Sequence, residues 1–151
     1  MPSLPPNRRS FPKIRRARLG QRLKRAHLLF EASVLEELIE REPSNDEHLF
    51  QLGQTYTQLR SYKKGLDIDK KLVVRDPDHP TYRYNLACSL TLTRDLNGAC
   101  RELLTAIDLG YRDFPFLMED KDLHHLRNDS RFALIKDRIR DAQVADKSGP
   151  A

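Results

Sequence analysis

Residues 46–79 read DEHLFQLGQTYTQLRSYKKGLDIDKKLVVRDPDH, and the landmarks of this stretch recur at a fixed offset of 34 residues. Pro77 echoes Pro43, Leu72 stands between Leu38 and Ala106, Tyr62 is answered by Leu96, Gly65 by Ala99, and Leu52-Gly53 by Leu86-Ala87. An echo of this length marks a stacked helical repeat, in which one helical hairpin cannot bury its apolar face alone and covers it with the next. Leu49, Leu52, Tyr56 and Leu59 fall on one face of a helix predicted at about 46–59, and Tyr62, Leu66, Leu72 and Val73 on a facing helix at about 62–75. Gly53 and Gly65 sit inside these helices, where glycine costs ~1 kcal/mol against alanine. Both therefore predict that the two helices approach closely. Ser44 and Glu47 have the spacing of a capping box at the start of the first helix.

Leu49, Leu52, Gly53, Tyr56, Gly65 and Pro77 occupy the pattern positions of the tetratricopeptide repeat, and the stretch resembles that family closely. The resemblance implies an all-α, tetratricopeptide-type helical-hairpin solenoid with capping helices. Residues 44–79 form one unit and 80–111 a second, with helices at about 80–93 and 96–108, Pro80 at a helix start, and Ala87 and Ala99 at the small positions. The sequence departs from the family at Leu49 and Arg83, where Trp is frequent, at Gly65, where Ala is preferred, and at Tyr111, where the closing Pro would fall. At Asp69 an aromatic is usual, so the packing there is left open.

The flanks are predicted from local chemistry. Residues 1–12, MPSLPPNRRSFP, are proline-rich and without period, which predicts a disordered arm. Residues 13–43 form a basic helical segment, on the repeat grid a degenerate first unit. Leu19, Leu23, Ala26 and Phe30 make an apolar stripe that Leu28, Ala32, Leu35, Leu38 and Ile39 continue. No Gly or Pro marks a turn near His27, so two helices and one long bent helix stay open for 13–41. After Gly110 the period breaks. Asp122-Leu123, Leu126-Arg127, Asp129 and Arg131-Phe132 resemble the closing segment of many bacterial tetratricopeptide proteins, and residues 112–143 are predicted to cap the stack. The last helix is expected at about 130–142, with Phe132, Leu134, Ile135 and Ile139 inward, and 144–151 as a flexible tail. Two full repeats alone would be marginal, so both flanks are expected to be structural parts of the domain.

The resemblance also implies a concave groove lined by the first helix of each unit, taking a peptide or helix of another protein. Carried onto this chain, it places Glu47, Phe50, Gln54, Thr57 and Gln58 there from one unit, and Thr81, Tyr84, Asn85, Cys88 and Leu92 from the next. Phe50 and Tyr84 would project side by side as an aromatic platform; the competing reading packs either as ordinary core. A chaperone-type carboxylate clamp is not supported, because Asn85 matches one of its positions while Phe50 and Gln54 stand where Lys and Asn would be required. The function implied is a non-catalytic interaction module, an adaptor or assembly subunit, with a small tetratricopeptide-type chaperone as an alternative.

Charge opens a different class of function. The formal net charge of +5 lies in residues 1–30, which hold nine basic groups and no acid, leaving 18 basic residues against 22 acidic ones beyond. Arg15, Arg18, Arg22 and Arg25 lie on one helical stripe, an electrostatic footprint for phosphate of nucleic acid or lipid, or for an acidic protein. The bland alternative is a solvated face, or one neutralised by the domain's own acids. An Arg-rich, acid-free start also has the composition of a mitochondrial presequence, which sets a matrix location beside the cytoplasmic one.

Other chemistries find no support. The histidines 27, 48 and 79 have no ligand spacing, and His124-His125 diverge on a helix, so no metal is expected. Glu36-Glu37 and Glu119-Asp120 are sequence neighbours and diverge likewise. No glycine-rich phosphate loop, nucleophile elbow or HExxH motif occurs, so neither catalysis nor a cofactor is expected. Cys88 and Cys100 read as reduced, partly buried small residues of a reducing compartment. No run approaches the ~18 apolar residues of a membrane span, and no secretory signal is evident.

Overall fold

Helix follows helix through the computed structural model, which describes the backbone of residues 13–148 and the side chains of 17–147. The arm predicted for 1–12 lies outside the described residues. The elements are α1 (Lys13–Arg41), α2 (Asp46–Gln58), α3 (Tyr62–Arg75), α4 (Pro80–Leu92), α5 (Leu96–Asp108), α6 (Phe114–Glu119), a 3-10 turn (Lys121–Leu123), α7 (His124–Arg127) and α8 (Phe132–Ser148). No strand occurs among the described residues.

The backbone repeats where the sequence does. α2 and α4 start at Asp46 and Pro80 and end at Gln58 and Leu92, both bounds 34 residues apart. Each is followed by a left-handed arginine, Arg60 at φ 60° and Arg94 at φ 72°. This region costs an L-residue ~1–2 kcal/mol, and closing hydrogen bonds offset it: the Ser61 amide donates to the Tyr56 carbonyl at 2.8 Å and the Asp95 amide to Leu90 at 2.9 Å. After α5 the same closure, Tyr111 to Ala106, runs through Gly110 at φ 103°, a conformation that suits glycine.

Each helix from α1 to α5 packs on the next, α8 returns to α5, and the 3-10 turn and α7 lie against α4. Two apolar clusters result. Leu28, Ala32 and Leu35 of α1 join Leu49, Leu52 and Tyr56 of α2, Leu59, and Ile68 and Leu72 of α3. The larger cluster joins Leu86, Leu90, Leu103 and Ile107 to Phe114, Leu117, Leu123, Leu126, Phe132 and Ile135. The C-terminal segment therefore supplies core.

Gly53 and Gly65 mark the α2–α3 crossing. A Cβ at Gly53 would stand 3.1 Å from Asp69 Oδ1 and 3.3 Å from Ile68 Cγ2, and one at Gly65 3.6 Å from the Gly53 carbonyl oxygen. Gly53→Leu is expected to destabilise the domain by about 1–3 kcal/mol through overpacking, measurable by urea denaturation. An unchanged midpoint would mean that the crossing tolerates a branched side chain.

Of the two readings open for 13–41, a single helix, α1, is formed, because nothing near His27 breaks it. Four expectations are corrected. The stripe Leu19, Leu23, Ala26 and Phe30 is exposed, and the buried face is Leu28, Ala32 and Leu35. α2 has 13 residues against the 29 of α1, so at ~1.5 Å per residue it covers only part of α1. The cap of α2 is Asn45, whose side chain accepts from the Glu47 amide at 3.1 Å, in place of the Ser44 box, because α2 begins at Asp46. Finally, α8 starts at Phe132 and runs to Ser148, so the tail expected from Val144 is helical up to that residue. No Gly or Pro intervenes before Gly149, and an Arg112–Asp146 ion pair at 2.7 Å ties the late turns down. On that helix Leu134 is exposed, whereas Phe132, Ile135 and Ile139 are buried.

Candidate functional site

A cavity of about 270 Å³ lies where α2 and α4 meet the capping segment. Gly53, Gln54, Thr57 and Gln58 come to it from α2, and Tyr84, Asn85, Cys88 and Ser89 from α4. Asp69 enters from α3, and Phe116, Asp120 and Asp122 from the segment after α5. Helical spacing explains the α2 set, since 53, 54, 57 and 58 share one flank of a 3.6-residue turn.

Of the residues predicted for the groove, Gln54, Thr57, Gln58, Tyr84, Asn85 and Cys88 line this one cavity and Phe50 does not. Phe50 turns to Tyr82, with ring centroids 6.1 Å apart. Tyr84 is buried and stacks on Tyr111 at 4.3 Å with 3° between the rings. The Phe50–Tyr84 platform is therefore not formed. The segment after Gly110 lays Tyr111, Phe116 and Asp120 onto Tyr84, a contact to which the repeat grid is blind. Glu47, Thr81 and Leu92 lie outside the cavity lining; Glu47 is exposed and accepts from the Gln51 side chain at 2.8 Å.

The walls are acidic. The Tyr84 hydroxyl donates to Asp120 Oδ2 at 2.6 Å, the Cys88 thiol approaches the same oxygen at 3.7 Å, and the Asp122 amide donates to Asp120 Oδ1 at 2.9 Å. Asp69 is buried, with its carboxylate accepting from Ser89 Oγ at 2.5 Å. Burial pushes the Asp69 carboxyl up to about 6, with the Ser89 hydrogen bond acting in the opposite direction. Burial, then the neighbouring Asp120 charge, also raises Asp122. Cys88 is raised well above the ordinary thiol value, by burial first and the Asp120 charge second, and Tyr84 is raised mainly by burial. Both therefore stay protonated at neutral pH.

Chemically, the cavity offers carboxylate acceptors inside and amides at its mouth, where Gln54 and Gln58 are exposed and Phe116 presents an open ring. It suits a group that brings N–H donors and positive charge. Reading the sequence for chemistry missed Ser89, Phe116, Asp120 and Asp122. Asp69 alone carried a signal, a carboxylate between Ile68 and Leu72 on the inner face of α3.

The other candidates lie elsewhere. Arg18, Arg22 and Arg25 are exposed on α1 and form no ion pair among the described residues; the Arg15 side chain lies outside them. Arg25, Lys24 and Arg60 line a separate basic concavity between α1 and the end of α2. Cys88 and Cys100 are free, buried thiols on α4 and α5. Among the described residues no group of three His, Cys, Asp or Glu side chains could hold a metal ion, and no helix is long and apolar enough to cross a membrane. No protein-family model matches the chain, and no curated protein matches it.

Proposed function

We propose that this chain is a tetratricopeptide-type helical solenoid acting as a non-catalytic interaction module, and that its cavity receives a segment of another protein bearing a basic side chain. The single observation behind this reading is the acidic cavity between α2, α4 and the capping segment, lined by Asp69, Asp120 and Asp122. The helical pair that recurs at an interval of 34 residues supports the solenoid. Carboxylates behind a partly apolar mouth favour an arginine or lysine whose methylene stem lies on Phe116 while its head meets the acids.

Calorimetry with two short alanine-based peptides, one carrying two arginines and one carrying glutamines in their place, tests the reading. The arginine peptide is expected to bind at least about tenfold more tightly, since a hydrogen bond to a charged group is worth ~1.5–3 kcal/mol. Gln54→Arg places a cation of the chain's own at the mouth and is expected to abolish that preference. Binding should also weaken as pH falls below about 6, where Asp69 becomes protonated. Equal affinity for the two peptides would overturn the proposed basic recognition.

A further inference from the structure

α1 is apolar on two opposite sides. One side, Leu28, Ala32 and Leu35, is buried in the cluster shared with α2. The other carries Leu19, Leu23, Ala26 and Phe30 at spacings of 4, 3 and 4, the heptad rhythm of a helix-pairing seam, with Leu29 and Val34 at its edges. At 3.6 residues per turn the two faces lie about 180° apart. The seam is open: Leu19 is 56%, Leu23 62% and Phe30 68% exposed. A helix that ends a stack is expected to turn a polar face to solvent. α1 instead shows the pattern of a helix covered on both sides.

Its charges indicate what covers it. Lys13, Arg15, Arg16, Arg18, Arg22, Lys24 and Arg25 crowd the first half with no acid among them. Glu31, Glu36, Glu37 and Glu40 hold the second half with no base before Arg41. A second α1 laid antiparallel places an acidic half against a basic half at both ends, whereas a parallel copy stacks like charge on like. The helical wheel sets Arg18 on the same flank of the seam as Glu36. A two-fold axis across an antiparallel pair keeps that flank on one side in both copies, and with Leu19 level with Phe30 the Arg18 of each copy lies about five residues, roughly 7.5 Å, along the axis from Glu36 of the other. The chain's own first residues fit less well, since Arg8 and Arg9 with no acid repeat the sign of the nearer half of α1.

We infer that α1 is a self-association helix, pairing antiparallel with α1 of a second copy across Leu19, Leu23, Ala26 and Phe30. In this register Leu19 meets Phe30 of the other copy and Leu23 meets Ala26, whose small side chain lets the axes approach. The surface lies on the far side of α1 from α2, so the pair leaves both acidic cavities open.

Light scattering on the full chain across a concentration series is expected to give the mass of a dimer at the upper end. A monomer at every concentration overturns the inference. The double variant Leu23→Glu/Phe30→Glu is expected to be monomeric with an unchanged helical circular-dichroism spectrum; a variant that still dimerises moves the interface off this face. Orientation is read by oxidising Leu19→Cys and Phe30→Cys proteins separately and mixed, with Cys88 and Cys100 buried. Cross-linking mainly in the mixture supports the antiparallel register, and cross-linking mainly in the separate proteins overturns it.

Discussion

A chain carrying Phe132→Ala is expected to lose about 3–5 kcal/mol of stability, the range for removing a buried phenylalanine. The ring is 2% exposed at the start of α8 and belongs to the cluster that holds Leu103, Ile107, Leu123 and Leu126. That cluster also draws on α5, α6, the 3-10 turn and α7, so several separate elements would have to shift to fill the void. Small domains hold only ~5–15 kcal/mol in total, so the variant should sit near the edge of folding at 37 °C. Urea denaturation followed by circular dichroism checks this. A loss below about 1 kcal/mol would show that the capping segment packs loosely on the repeats. The same variant should weaken the arginine-peptide preference, because Phe132 shares its cluster with Leu117 and Leu123, from the segment that also carries Phe116, Asp120 and Asp122.

Asp69→Asn is expected to do the reverse and stabilise the protein at neutral pH. In the folded chain burial raises this carboxyl from 3.8 to about 6. With the folded value above the unfolded one, the contribution of Asp69 is most favourable below pH 4 and is lost as pH rises through about 6. One pKa unit is worth ~1.4 kcal/mol, so the ionised form costs roughly 3 kcal/mol at pH 7 and above. Asparagine keeps an acceptor for Ser89 Oγ and cannot ionise. The difference in stability between variant and parent should therefore be small at pH 4 and grow to its full size by pH 8. A difference independent of pH would show that Asp69 is not held as a costly buried acid. If the cavity binds a basic side chain, this gain in stability should come with weaker binding of the arginine peptide, the exchange expected where a charge is kept for function.

The repeat itself was legible because its signals are local. Pro80, the glycines at 53 and 65 and the recurring apolar positions depend on residues a few places apart, and α2 to α5 fall close to the bounds those signals predict. Boundaries failed where no local stop exists: α8 runs past Ala142 because neither Gly nor Pro interrupts it before Gly149. The cap of α2 moved by one residue because Asn45 and Ser44 are both good caps and only the start of the helix decides between them.

The cavity was half legible. Gln54, Thr57, Gln58, Asn85 and Cys88 were placed by the resemblance to the tetratricopeptide repeat, carried along the 34-residue interval, which is a one-dimensional quantity. The acids opposite them come from Asp69 on another helix and from Asp120 and Asp122 in the segment outside the repeat, and their meeting depends on where that segment folds back. The same fold-back buried Tyr84 under Tyr111 and left Phe50 to Tyr82.

By itself the sequence determined that the chain is helical, where the paired helices begin and end, and which residues are small at their crossing, because propensity, capping and period act over a few residues. Only the tertiary structure decided which of the two apolar faces of α1 is covered, which aromatic rings become core and which carboxylates share a cavity. Those outcomes depend on which distant elements meet, and a sequence period has no information about that until the chain has folded back on itself.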